Sequence, residues 1–165
     1  WGSLCLYPLG KLQTMVKNFE FGKVVQISLS NGKLSYGLVL SEPLVAFSEN
    51  SYDVPQSDFS EIFGGKLFKI WVMKDALGKN GWSKVGCIEA NQIELSEPEF
   101  YKFDLISKRF SIYTNGNEIP ATKEDCLELE CAVVWSKDHV EERLLALSEG
   151  RESKWVSSLS AESRV

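Results

Sequence analysis

The side chains best suited to metal binding or nucleophilic catalysis are one histidine and four cysteines. His139 is the only imidazole, and the thiols are Cys5, Cys87, Cys126 and Cys131. Seven residues separate Cys131 from His139, and no second close pair of ligands follows, so the spacing differs from that of a structural zinc site. No local motif of a cysteine nucleophile occurs either. We therefore expect no metal, cofactor or catalytic residue, and idle or buried thiols in a reducing compartment.

Two carboxylates also have a spacing that permits chemistry. Glu128 and Glu130 are two positions apart, so a strand would place both on one side, as a general acid and base require. Such a pair is more often the solvated face of an amphipathic strand. No glycine-rich phosphate loop or serine elbow is present, because Asn31-Gly32, Gly64-Gly65 and Asn115-Gly116 are typical of turns. The residue types alone identify no activity.

Charge gives a second line of argument. The chain has 18 Lys and Arg against 23 Asp and Glu, for a net charge of −5, which repels nucleic-acid phosphates and anionic membrane surfaces. The acidic bias is strongest in residues 89–104 and 118–130. It serves either solubility alone or the steering of a basic partner, such as a nuclease domain. No apolar run approaches the roughly 18–20 residues of a membrane-spanning helix, and we expect a cytoplasmic protein.

The strongest structural signal is an alternating apolar pattern on both sides of Asn31-Gly32, in residues 22–40. It predicts a β-hairpin with a type I′ turn, and residues 110–119 repeat the pattern around Asn115-Gly116. Residues 66–73 predict a strand buried on both sides. Because Pro43 lacks a backbone donor, we expect residues 44–48 to form a short or edge strand.

The last third of the chain has the pattern of helices. Ser136 is expected to cap a helix over residues 137–147 that ends at Gly150, and a shorter amphipathic helix follows at 153–159. From Thr122 onward, helix and strand both fit the pattern, and residues 160–165 are expected to fray. These elements predict an α+β fold: a mostly antiparallel, strongly curved, barrel-like sheet with one or two C-terminal helices.

The length of 165 residues suits one domain. Met15 opens a segment that resembles a natural start, so we expect residues 1–14 to be an upstream or cloning-derived segment and residues 15–165 to be the domain. An ordinary N-terminal strand is the alternative.

Several short motifs occur in an order that is more specific than any one of them. They are Gly22-Lys23-Val24, Tyr36-Gly37, Tyr52-Asp53, Leu67 to Ile70, Gly81-Trp82 with Gly86, Glu130-Cys131-Ala132 with Trp135, and Glu142-Arg143-Leu144. In this order the chain resembles immunity protein family twenty-six of bacterial polymorphic toxin and contact-dependent growth inhibition systems, over residues 21–159.

The resemblance implies a small, mostly β protein that is not an enzyme and that neutralises a cognate toxin, here pictured as basic, by covering its active site or substrate path. Some relatives carry an organophosphate-hydrolase label, but this chain lacks the histidine cluster of metal-assisted phosphotriester hydrolysis. A small hydrolase and a ligand- or peptide-binding module remain the alternatives. The residues expected to bind the toxin are Glu89, Glu94, Glu97, Glu99, Asp104, Tyr36, Tyr52, Asp53 and Trp82.

Overall fold

A computed structural model of the chain describes residues 19–89, 92 and 96–165. The expected upstream segment, Met15 and Glu94 lie outside these residues. The described strands are β1 (Lys23–Ser28), β2 (Leu34–Ser41), β3 (Leu44–Ser48), β4 (Leu67–Val72), β5 (Ser83–Cys87), β6 (Phe100–Phe103), β7 (Phe110–Thr114), β8 (Asn117–Ala121), β9 (Glu130–Cys131) and β10 (Val134–Trp135). The α-helices are α1 (Phe59–Ile62), α2 (Lys123–Cys126), α3 (Lys137–Ser148) and α4 (Lys154–Leu159), and Lys74–Leu77 and Ala161–Ser163 are 3₁₀ helices.

The strands form two sheets. The large sheet has the order β10-β4-β3-β2-β1-β5 and the small sheet the order β8-β7-β6-β9. All neighbours are antiparallel except the short pairs β10–β4 and β6–β9. The mixed α+β class and the two C-terminal helices are therefore confirmed. The barrel-like curvature is not confirmed, because both sheets are open within the described part of the chain.

The first hairpin is present, but its turn differs from the expected type. β1 and β2 pair antiparallel, and Gly32 has a φ of +85° while Asn31 does not have a positive φ. The Leu29 amide donates to the Lys33 carbonyl and the Gly32 amide to the Leu29 carbonyl. This is a three-residue loop with glycine in the left-handed position rather than a type I′ turn. The Asn31 side chain instead accepts from the Lys33 amide at 3.1 Å.

The second hairpin has the turn that the sequence predicts. β7 and β8 pair antiparallel with Thr114 opposite Asn117, and Asn115 and Gly116 both have positive φ, at 49° and 80°. Two consecutive left-handed residues define the type I′ turn.

The expectation of an edge position for residues 44–48 is wrong. β3 lies between β2 and β4, and all five of its residues are buried. Pro43 precedes the strand, so it removes no donor from the ladder, and its carbonyl accepts from the Val72 amide.

One face of the large sheet, here called the helix face, forms the main core. Its buried side chains alternate along the strands, as the strand period of two requires, and they include Val25, Ile27, Val39, Val45, Phe47, Phe68, Ile70 and Val72. Val140 and Leu144 of α3 cover them, with Trp155, Val156 and Leu159 of α4 packed alongside. The short amphipathic helix predicted at residues 153–159 is confirmed.

The ends of α3 follow the predicted chemistry. The Ser136 hydroxyl accepts from the His139 amide. At the other end, Gly150 has a φ of +68°, and the Gly150 and Arg151 amides donate to the Leu147 and Ala146 carbonyls. This pair of bonds is the Schellman motif.

Three further expectations need correction or refinement. The chain after α4 does not fray, because Ala161 is buried and Lys123 donates to the Arg164 carbonyl. After Thr122 the chain forms both alternatives in turn, first the one-turn helix α2 with a capping box and then β9 and β10. Cys87 is disulfide-bonded, so the expectation of idle thiols is wrong at that position.

Among the described residues, no helix has the length and apolar character needed to cross a membrane.

Candidate interaction surface

The second face of the large sheet, here called the cavity face, is only partly covered. Leu34, Tyr36, Leu38 and Leu40 of β2 all point to it, since they share one strand parity, and Leu44, Ala46, Leu67 and Trp71 extend it across β3 and β4. Helix α1 lies over one part, with the Phe59 ring 6.3 Å from the Tyr36 ring. The small sheet lies over another part, where the Phe100 ring is 4.5 Å from Trp71.

Beside α1 on this face lies a cavity of about 330 Å³. Its polar lining residues are Ser60, Lys69 and Gln92, and the remaining lining residues are Leu38, Leu40, Ala46, Phe63, Gly64, Leu67 and Ile88. The Lys69 ammonium donates to the Ser96 carbonyl at 3.3 Å, and the Ser60 hydroxyl lies 3.4 Å from the Gln92 side chain. No carboxylate, imidazole or thiol is among these described lining residues.

Three acidic residues of the first acidic stretch are close in sequence to residues of this face. Glu89 directly follows the cavity residue Ile88. Glu97 follows Ser96, whose carbonyl accepts from Lys69, and Glu99 precedes Phe100 of β6. Glu89 and Glu99 are exposed and Glu97 is half-buried. None of the three makes an ion pair with another residue in the described ranges. Their charges therefore remain open to solvent or to a partner.

Asp104 belongs to the same acidic stretch but lies elsewhere, at the far end of β6. Its carboxylate accepts from the Ile106 amide at 2.7 Å and from the Ser107 amide at 3.1 Å. These backbone N–H groups of Ser107 and Ile106 lower the pKa of the Asp104 carboxyl, since they stabilise its ionised form. Asp104 therefore stabilises the loop that follows β6. The number of acidic residues in this stretch did not predict that role.

The predicted aromatic residues separate into three environments. Tyr36 is fully buried on the cavity face; its hydroxyl donates to Gln26 and accepts from the Gln56 amide. Tyr52 is half-buried beside it, with the rings 5.7 Å apart. Trp82 is buried on the opposite, helix face. Only Tyr52 thus has part of its side chain available on the cavity face.

The contacts of Trp82 and Asp53 are intramolecular. The Trp82 indole N–H donates to Glu141 of α3 at 3.0 Å, and its ring meets Phe47 edge-on. Asp53 is exposed and lies 3.6 Å from the Lys33 ammonium. The predicted residues are therefore divided: Tyr36 and Tyr52 lie on the cavity face, the three glutamates are close in sequence to residues of that face, and Trp82 and Asp104 lie elsewhere.

The second acidic stretch is largely committed to structure. Glu118 pairs with Lys102 at 3.1 Å, and the Asp125 carboxylate caps α2, where the Thr122 backbone amide lowers its pKa. Glu130 forms two parallel bonds to Arg143, at 2.8 and 2.9 Å. Glu128 lies in the turn before β9, so the two carboxylates do not share one side of a strand, and neither the acid–base pair nor the solvated strand face describes Glu130.

Arg143 has a structural role that the sequence did not predict. It is buried on α3, and its guanidinium lies 3.8 Å from the centre of the Phe68 ring and 5.2 Å from that of Trp135. It was visible only as part of the Glu142-Arg143-Leu144 motif.

The thiols and the imidazole are not gathered into a site. Cys126 is buried in the small-sheet core, and burial raises the pKa of its thiol. The His139 ring stacks on Trp155 with 3.7 Å between the ring centres. Within the described part of the chain, no group of three or more His, Cys, Asp or Glu side chains is arranged to hold a metal ion.

A further feature was missed at the sequence level. The loop between β6 and β7, residues 104–109, carries Leu105 and Ile106 at its tip, and their exposed fractions are 67% and 94%. The available signal was two consecutive apolar residues bounded by Asp104 and by Ser107, outside any alternating pattern.

One comparison with known proteins identifies a family for this chain. A family model described as Immunity protein 26 matches residues 20–112, which is more than half of the chain. The match begins just before β1 and ends within β7, so it includes the strands of the cavity face and the loop of residues 104–109. No curated protein and no solved structure matches the chain.

Proposed function

The chain belongs to the Immunity protein 26 family, and on that premise we propose that it is a cytoplasmic protein that binds a cognate bacterial toxin domain and neutralises it by covering the toxin's active site or substrate path. The family match is the observation that carries this proposal. The protein acts by binding and not by catalysis, and it serves in competition between bacterial cells through polymorphic toxins of the contact-dependent type.

The cavity face is the surface that best supports toxin binding. It combines a cavity whose lining residues are mostly apolar with Glu89, Glu97 and Glu99, which are close to it in sequence and make no ion pair within the described part of the chain, while Lys69 donates to the Ser96 carbonyl. An apolar centre with a charged rim is the usual anatomy of a protein interface. The negative rim favours a basic toxin, such as a nuclease domain, because opposite charges accelerate diffusional encounter.

Tyr52 is the aromatic anchor on this face. Its ring is half-buried against Tyr36, so its position is fixed before binding while one side stays accessible. Tyr36 supports it from within the core, and Trp82 belongs to the helix face, so neither of these two rings contacts the toxin directly. Rigid aromatic residues at the centre of an interface carry much of the binding free energy.

A charge-reversal experiment tests the surface. In one variant, Glu89, Glu97 and Glu99 are each changed to Lys. In the control, the exposed residues Glu124, Glu128 and Glu152 are changed to Lys, which alters the net charge equally away from the cavity face. The association rate constant with the toxin domain is measured for both at low and high salt.

We expect the cavity-face variant to associate about tenfold or more slowly at low salt and to lose most of its salt dependence, since local charge dominates steering. The control should lose far less. An equal loss in both variants would show that only net charge matters, and unchanged association in the first variant would remove the cavity face from the proposal.

The cavity itself supports a second candidate, a small-ligand or peptide-binding module. Its volume of about 330 Å³ is within the range of small-molecule sites. Thermal unfolding in a panel of small metabolites and short peptides tests this, since a ligand that binds the native state raises Tm. Ala46→Leu, which places extra volume in the cavity, should abolish such a shift.

A further inference from the structure

We propose that the loop of residues 104–109, here called the anchor loop, is ordered before binding and inserts Ile106 and Leu105 into an apolar recess of the cognate toxin. The entrance of this recess carries carboxylates. This inference rests on the proposed function, which it deepens by assigning a contact that the acidic residues do not provide.

The tip of the anchor loop is more exposed than a folded protein needs. Ile106 is 94% exposed and Leu105 67%. The adjoining side chains Phe103 and Phe110 pack against each other with ring centres 4.7 Å apart, so the small-sheet core is complete without the tip. Removing the two apolar side chains therefore leaves the core intact.

The loop is held in one conformation by hydrogen bonds of its own. Asp104 Oδ1 accepts from the Ile106 and Ser107 amides at 2.7 and 3.1 Å. The Asp104 amide donates to the Arg109 carbonyl at 3.0 Å and the Lys108 amide to the Asp104 carbonyl at 2.8 Å. Lys108 takes a left-handed φ of 59° to close the turn. A loop that is ordered before binding loses little conformational entropy on binding.

Charge identifies the kind of surface that fits the tip. Lys108 and Arg109 are exposed next to the apolar pair, and Asp104, the nearest carboxylate in the loop, is engaged with backbone amides. Asp104 stays ionised, so the loop carries two positive side chains and one negative one, an excess of positive charge around an apolar centre on a chain whose net charge is −5. An apolar recess with an acidic rim is complementary to it.

Two other occupants fit less well. A symmetric contact between two copies through their tips would oppose Lys108 and Arg109 to themselves. An anionic membrane would attract the tip but repel the rest of the chain, and two apolar side chains provide little insertion energy.

The test uses the full chain and the toxin domain encoded immediately upstream of its gene. The double variant Leu105→Ser/Ile106→Ser should bind about 10- to 100-fold more weakly, mainly through faster dissociation, because it loses apolar burial that forms only in the complex. Its Tm should equal that of the wild type. Leu147→Ser, which alters a partly exposed leucine on α3, is the control and should bind normally.

A second pair of variants separates loop order from charge. Asp104→Asn keeps an oxygen that can accept the two amides, whereas Asp104→Ala removes it. We expect the Ala variant to bind more weakly than the Asn variant. Equal losses in both would mean that Asp104 acts through its charge and would contradict the proposal that the loop is ordered before binding.

The outcomes distinguish the two levels of the argument. If the wild type binds the toxin and the double variant binds equally well, the anchor loop is refuted and the proposed function stands. If the wild type does not bind, both fall. If the double variant instead loses self-association in sedimentation velocity, or loses binding to phosphatidylglycerol vesicles, the tip serves another surface and the inference is overturned.

Discussion

Breaking the Glu130–Arg143 pair should show whether a motif carried by the family resemblance is structural. Glu130 lies on β9 of the small sheet and Arg143 on α3, which packs on the large sheet. The Arg143 side chain is 8% exposed and the Glu130 side chain 32%. Glu130→Gln leaves the guanidinium buried without its counter-charge, and Arg143→Met leaves a carboxylate that water can reach.

The asymmetry of burial sets the expected magnitudes. Removing one partner of a fully buried ion pair costs about 3–5 kcal/mol, and partial exposure of Glu130 reduces this to about 2 kcal/mol for Glu130→Gln. Arg143→Met should cost about 1 kcal/mol, because Met fills part of the same buried volume with apolar atoms while the cation–π and ionic contributions of the guanidinium are lost. The double variant should have about the same free energy of unfolding as Arg143→Met. Once Arg143 is replaced, the Glu130 carboxylate has no buried positive charge to neutralise, so its loss adds little.

Urea unfolding of the two single variants and the double variant measures these terms as a double-mutant cycle. Glu118→Gln is the matched control, because it breaks the exposed pair with Lys102 and should cost below about 1 kcal/mol. The reasoning is refuted if Glu130→Gln costs no more than Glu118→Gln. It is also refuted if Arg143→Met is the more damaging single change.

Three further predictions concern stability. An added Cβ at Gly81 would lie 2.0 Å from the Ala76 carbonyl oxygen. In a urea titration, Gly81→Ala should therefore lower the free energy of unfolding by about 2–3 kcal/mol. Gly65→Ala is the control and should change the free energy of unfolding little, because a Cβ there makes only ordinary contacts. Burial raises the pKa of Tyr101 to about 12. The contribution of Tyr101 to the free energy of unfolding is complete below the ordinary pKa of about 10 and is lost as pH rises toward 12. The free energy of unfolding, measured from pH 9 to 12, should therefore fall more steeply with pH for the wild type than for Tyr101→Phe. Ser136→Ala removes the N-cap of α3 and should cost about 1 kcal/mol by thermal or urea unfolding; an unchanged value would mean that the cap is replaced by water.

Local sequence patterns predicted the strands and helices correctly where alternation within one strand, or the capping residues of one helix, were sufficient to define them. Alternation in residues 22–40 and 110–119 placed both hairpins, and Ser136 with Gly150 placed α3. The same Asn-Gly dipeptide nevertheless forms two different turns, because Asn31 bonds the Lys33 amide and the Ser148 hydroxyl while Asn115 adopts a positive φ. Tertiary contacts, which the dipeptide does not encode, decide between them.

Long-range pairing accounts for what the sequence did not reveal. The burial of Trp82 under α3 and the pairing of Glu130 with Arg143 depend on which elements meet in space. The central position of β3 depends in the same way on its two neighbours. Acidic composition correctly marked Glu89, Glu97 and Glu99 as exposed or half-exposed, but it could not separate them from Asp104, whose carboxylate is fixed by backbone amides.

The central claim is that the protein neutralises a toxin by binding it. The most direct measurement is co-purification of the tagged full chain with the product encoded immediately upstream of its gene, followed by titration of that product's toxicity. We predict a stoichiometric complex and loss of toxicity at equimolar protein. Full toxicity in the presence of excess protein, with no complex recovered, would contradict the account.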